Sequence, residues 1–128
     1  MRQSAAPRKE PVEWIDLVEP LLIRGKERSR LGICRIGLGD LRGLNRKALL
    51  GLGEGSINDF EAWMETMNPL AADTEQWVTL LTRVAVDEAG NSPTYNDASR
   101  LGPEDFMGVF LATSPLLLSS APTQSDSE

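Results

Sequence analysis

The sequence predicts a small α+β fold: an N-terminal β-hairpin followed by about four short α-helices, packed as one domain. Three observations carry that reading. Ile15, Leu17, Leu21 and Ile23, and then Leu31 and Ile33, fall at even spacing, the period of a strand with one buried face. From Asp40 onward they recur at three and four, the period of an amphipathic helix. The 128 residues, 41% hydrophobic and 25% charged, have the length and composition of a soluble chain with one core.

The first strand lies in "WIDLVEPLLI", where Ile15, Leu17, Leu21 and Ile23 share a face and Pro20 marks an edge position. "RGKE" supplies a glycine-containing turn, and "RLGICRI" returns with Leu31 and Ile33 on one face. A two-stranded hairpin is not stable alone, so helices must cover it.

The first helix is expected from Asp40 to Leu50, with Leu41, Leu44, Ala48 and Leu49 as its stripe and glycines 51, 53 and 55 ending it. The second starts at a Ser56 or Asn58 cap, carries Ile57, Phe60, Met64 and Met67, and stops at Asn68-Pro69. In the third, Asp73 and Gln76 form a capping box ahead of Trp77, Leu80, Leu81 and Val84. The fourth has Pro103 in its first position, Glu104 and Asp105 in its first turn, a Leu101–Phe106 staple, and Pro115 as its end. The domain is therefore read as 13–118, with the hairpin at 13–38 and the helical part at 40–114. The polar ends "MRQSAAPRKEP" and "SSAPTQSDSE" are read as disordered tails, 1–12 and 119–128.

Charge divides unevenly along the chain. Residues 1–50 carry eleven Lys/Arg against six Asp/Glu, and residues 51–128 carry two against thirteen, within a net charge of -6. Arg24, Lys26, Arg28 and Arg30 crowd the hairpin tip, which suggests nucleic acid. No aromatic residues interleave to stack bases, and the acidic half repels phosphate, so a solvated tip is the better reading.

No signal peptide is visible at the N-terminus, and the apolar run from Met107 to Leu118 is too short and too interrupted to span a bilayer. Cys34 is the single cysteine, read as a buried thiol, so the expectation is a cytosolic protein.

Chemistry is sparse. The chain has no histidine, which removes nucleophile–histidine catalysis and Cys/His zinc sites. "DEAGNSPTYND" fails as a calcium loop, with Ala89, Ser92 and Ala98 where its third, sixth and twelfth positions need an acid or amide, a glycine and a glutamate. A turn rich in Gly, Asn and Pro fits it better. "GLGDLRG" is not G-x-G-x-x-G, since its third glycine comes one residue late, and Asp40 stands where a phosphate would go. Gly39, Asp40, Leu41 and Arg42 are read instead as a structural corner between strand and helix, with no catalytic residues, metal or cofactor.

The same stretch carries a resemblance. The order of "WIDLVEPLLIRGKE" and "LGICRIGLGDLRGLN" resembles the tail assembly chaperone family of Mu-like tailed phages, with Ile15, Leu17, Pro20 and Gly25 matching its first strand and turn. Leu31, Ile33, Arg35 and Gly39-Asp40-Leu41-Arg42 match its second strand and motif, although "IGL" stands where the family usually has a proline. The later "LLTRV" and "LGPEDF" are similar to its helical half.

The resemblance implies a non-enzymatic protein of the host bacterial cytoplasm that binds the tape measure protein during tail morphogenesis and is absent from the mature virion. It also implies the tail tube protein as a further partner, and a longer, frameshifted form of the chain. A small adaptor or nucleic-acid-associated module acting through the basic hairpin, or a structural tail subunit, remain the alternatives. Candidate partner-binding residues are Met64, Met67 and Met107, whose side chains adapt to varied surfaces or else fill the core. Leu116, Leu117 and Leu118 join them: three consecutive leucines cannot all face one helix side, so they meet either the core or a partner, a second copy included.

Overall fold

The computed structural model describes residues 10–51 and 67–119. Strand β1, Pro11–Ile23, pairs antiparallel with β2, Lys26–Cys34, and their register closes at Ile23 opposite Lys26. The two-residue turn between them holds Arg24 at φ 52 and Gly25 at φ 85, and positive φ at both places matches the right-handed twist of the strands. The expected hairpin is present, with β1 starting inside what the sequence assigned to the N-terminal tail: Pro11 and Val12 are strand residues. Residues 1–9 and 120–128 of the two expected tails lie outside the described residues.

The hairpin gains a third strand. β3, Ala85–Val86, pairs antiparallel with β2, setting Val86 opposite Gly32 and Ala85 opposite Ile33 in the order β1-β2-β3. Two residues show no period, so pattern reading misses such a strand.

The register of β1 shifts between Asp16 and Leu21, a bulge that takes in Pro20, where a ladder N–H is missing in any case. Asp105 holds that bulge: its Oδ1 accepts the Val18 N–H at 2.6 Å and its Oδ2 the Glu19 N–H at 3.2 Å.

The expected helix from Asp40 to Leu50 is broken in two. A 3-10 turn spans Leu38–Leu41, the chain turns left-handed at Gly43 (φ 77), and α1 is only Arg46–Leu50. The break follows from local chemistry: Asn45 Oδ1 caps α1 by accepting the N–H groups of Lys47 and Ala48, which starts a new helix rather than continuing the old one. The second expected helix lies outside the described residues apart from Met67.

The third helix stands as read: α2, Thr74–Val84, is capped by Asp73 and buries Trp77, Leu80, Leu81 and Val84. Its capping box closes differently, because the Gln76 side chain donates to Asp73 Oδ2 and accepts the Asn45 N–H at 2.7 Å. Within the stretch read only as a turn sits α3, Tyr95–Ser99, with a Thr94/Asp97 capping box. The last helix, α4, spans Pro103–Ser119, so Pro115 does not end it. Pro115 and Leu111, whose carbonyl loses its helical donor, lie on the exposed side, while Val109, Phe110, Thr113 and Leu117 bind the other side to the core. The Ser114 hydroxyl donates to the Phe110 carbonyl at 2.6 Å within the same turn.

One core joins these elements. Ile15, Ile23, Leu31 and Ile33 from the sheet meet Leu49, Trp77, Leu80, Val109 and Phe110 from the helices. Among the described residues, no helix is long and apolar enough to cross a membrane.

Candidate functional site

The Gly39–Arg42 corner is held from both sides. Asp40 Oδ2 accepts the Gly37 N–H at 2.9 Å, closing the 3-10 turn on itself. Arg83, from the last turn of α2, donates from Nη1 to the carbonyl oxygens of Asp40 and Arg42, each at 2.8 Å. Leu41 is half-buried against the core. The geometry of Asp40 is that of a backbone-satisfying carboxylate, and Arg83, which the sequence reading did not single out, bridges the corner to α2.

The basic hairpin tip faces the protein's own acids. Arg28 Nε meets the buried Asp87 carboxylate at 3.0 Å, and Asp87 Oδ1 also takes the N–H groups of Ala89 and Asn91. Arg30 reaches Asp16 at 3.7 Å and Glu88 at 3.5 Å, with its guanidinium over the Trp14 ring at 4.4 Å from the centroid. Arg24 donates from Nε to the Ser92 carbonyl, while its backbone N–H donates to Asp97 Oδ2. That backbone N–H, with the Thr94 N–H next, holds the Asp97 carboxyl below the ordinary aspartate range. The loop from Asp87 to Asp97 thus draws three of the four tip cations inward.

Among the described residues, an apolar groove of about 370 Å³ is open to a ligand. One wall is the α2 stripe of Thr74, Val78 and Leu81; the other runs through Leu101 into Phe106 at the start of α4. Trp77 forms the floor, 1% exposed. Its indole N–H donates to the Leu49 carbonyl at 2.6 Å, and its ring meets Phe106 edge-on, centroids 5.6 Å apart at 88°. That hydrogen bond and aromatic contact fix the ring without a partner.

A 3-10 turn, Pro69–Ala71, also borders the groove and presents Leu70 to it. Asn68 starts the turn by accepting the Leu70 N–H, and its own N–H donates to the Leu50 carbonyl at 3.0 Å. Pinned this way, Leu70 remains 91% exposed, a large apolar side chain held out at the lip.

The structure scatters the candidate partner-binding residues. Met67 packs half-buried on the core, Leu116 likewise, and Leu117 is fully buried at 0%. Met107 is 41% exposed on α4 but does not line the groove. Met64 and the Leu118 side chain lie outside the described residues. Of the groove residues, Leu101 and Phe106 were read as a staple, and Leu70 and Val78 were not singled out; only "NPLAAD", with an apolar residue inside a capped turn, could have hinted at a projecting leucine.

Among the described residues, no group of three or more His, Cys, Asp or Glu is placed to hold a metal ion. Comparison with known protein families, with curated proteins and with solved structures finds no match to this chain.

Proposed function

We propose that this protein is a non-catalytic binding protein whose groove receives the apolar face of a helical segment from another protein. Together with the resemblance of its hairpin and Gly39–Arg42 motif to tail assembly chaperones, this makes it a phage tail assembly chaperone of the host cytoplasm. Its client is then the tape measure protein, kept soluble until the tail tube assembles around it.

The groove with Leu70 at its lip is the observation that carries the reading. A helix laid in a groove is anchored by apolar side chains at i, i+3 or i+4 and i+7, and the groove supplies a rigid aromatic floor for them. The acids that would be candidates for catalysis, Asp40, Asp87, Asp97 and Asp105, each accept backbone N–H groups in the fold. The tip arginines that a nucleic-acid reading needs are engaged within the chain, Arg28 and Arg30 with Asp87 and Glu88 and Arg24 with the Ser92 carbonyl.

Co-expression with the tape measure protein of the same genome tests this. The wild-type chain is expected to keep the client soluble and co-purify with it. Leu70→Asp, at a fully exposed position, and Val78→Asp, in the wall, are expected to lose both while the first keeps its melting temperature. Client solubility unchanged by Leu70→Asp, or no solubilisation by the wild type, overturns the proposal.

A further inference from the structure

We propose that β1 pairs edge to edge with β1 of a second copy, antiparallel about a dyad at Trp14, so that two three-stranded sheets become one. None of the residues lining the groove takes part.

β1 is an edge of the sheet and 13 residues long, about twice the usual strand. A long edge is a template for pairing unless something blunts it. The second half of β1 is blunted: the register breaks between Asp16 and Leu21, Pro20 lacks a donor, and Asp105 takes the Val18 and Glu19 N–H groups. The first half, Pro11 to Asp16, has no such device. It carries no lysine or arginine, and Val12 and Trp14 are 50% and 37% exposed. The Trp14 ring leans back over Gly32, where an added Cβ would come within 3.1 Å of its Cη2, and takes the Arg30 guanidinium on its face, so it does not cover the edge.

The two-residue turn makes Ile23 and Lys26 a hydrogen-bonded pair, so Lys26, Arg28, Arg30 and Gly32 turn their backbone groups toward β1. Asp16 and Trp14 answer Arg30 and Gly32. Glu13 and Ile15, in the alternate places, turn their N–H and C=O groups to the free edge. A second β1 uses all of these only about Trp14, which sets Glu13 opposite Ile15 of the second copy and Ile15 opposite its Glu13. About Glu13 or Asp16 an acid would stand opposite itself, which is unfavourable. About Ile15, Glu13 would need Leu17, which lies where the register is broken. At the Trp14 dyad Asp16 stands opposite Val12, and Arg30 already answers Asp16 at 3.7 Å.

α4 adds to the same surface. A Cβ on Gly108 would lie 3.7 Å from Ile15 Cγ2, so α4 runs against β1 next to the dyad. From Phe106 to Ser119 the helix carries no charge, yet Met107 and Leu111, one turn apart on its outer side, are 41% and 67% exposed. A surface helix ordinarily keeps polar or charged residues there. The dyad of an antiparallel pair is perpendicular to the sheet, so both α4 helices lie on one side of the joined sheet and their outer sides approach.

Sedimentation equilibrium of the full chain is expected to show a monomer–dimer equilibrium. Glu13→Pro removes an outward N–H and no bond to β2, and is expected to weaken the dimer about tenfold or more, since two hydrogen bonds are lost per dimer. A second arm maps the dyad by oxidation in a Cys34→Ala background. Trp14→Cys is expected to form a covalent dimer, because directly opposed, non-hydrogen-bonded Cα atoms lie about 4.5 Å apart, within disulfide reach. Asp16→Cys is expected to form none. A chain monomeric at every concentration overturns the proposal, and so does a missing bridge at Trp14→Cys or a bridge at Asp16→Cys alone. A dimer indifferent to Glu13→Pro but dispersed by Leu70→Asp overturns it too, assigning the second copy to the groove. Should Glu13→Pro fail to fold, the two cysteine variants decide.

Discussion

Gly51 ends α1 in the left-handed region at φ 69, and a Cβ there would overlap the carbonyl oxygen of Asn68. The left-handed turn closes the C-cap of α1, with the Gly51 N–H donating to the Ala48 and Lys47 carbonyls, and the close approach goes with the Asn68 N–H donating to the Leu50 carbonyl. Gly51→Ala is therefore expected to cost more than the roughly 1–2 kcal/mol of left-handed backbone strain alone. Gly90→Ala, at φ 87 with nothing within 4 Å of the new Cβ, should cost only that strain. Urea denaturation of the pair checks this, and equal losses would remove the close approach from the account. At Arg83 the Nη1 donor serves two carbonyls 2.8 Å away, so Arg83→Met, keeping the stem, is expected to lose about 1.5–3 kcal/mol. The corner was legible in the sequence because glycines and an acid at a strand end have few other uses. Its clasp was not, because a single arginine in a helix says nothing about carbonyls some forty residues earlier.

Among the elements, α2 was legible in full, since eleven residues with a cap and a clear stripe leave little room for another reading. β3 and α3 were not, being two and five residues long and made by pairing with β2 and by the Thr94/Asp97 box. Pro115 misled for a physical reason: proline disfavours a helix interior, yet tertiary packing of Leu117 beyond it outweighs that cost. Pro115→Ala, at an exposed position, is expected to stabilise the fold by up to about 3 kcal/mol, visible as a raised melting temperature. An unchanged or lowered one would mean the helix already accommodates the ring. The α3 cap adds a pH effect. The folded pKa of Asp97 is depressed, so its contribution is complete above the unfolded value of about 3.9 and disappears as pH falls through the lower folded value. Asp97→Asn is expected to be less stable than wild type at neutral pH, with the gap narrowing below about pH 4 in parallel denaturation curves. A gap constant with pH would show that the carboxylate charge is not what docks the hairpin tip onto α3.

At the scale of the whole molecule, part of the charge opposition between the two halves is met within the chain: the basic tip folds back onto Asp87, Glu88 and Asp97, which helps bring hairpin and helices together. The α+β class was legible from periodicity. The groove was not, because it is made where α2 meets the start of α4 and the Pro69–Ala71 turn, and no pattern along the chain records which helix faces meet. The central claim, that this groove and not the hairpin tip is the binding surface, is tested most directly by amide NMR of the labelled full chain titrated with a leucine-striped helical peptide. The account predicts shift changes concentrated at Leu70, Thr74, Val78, Leu101 and Phe106, with the indole N–H of Trp77 moving among them, and Arg24, Lys26 and Arg28 unmoved. Changes confined to the hairpin tip, with the groove amides silent, would contradict it.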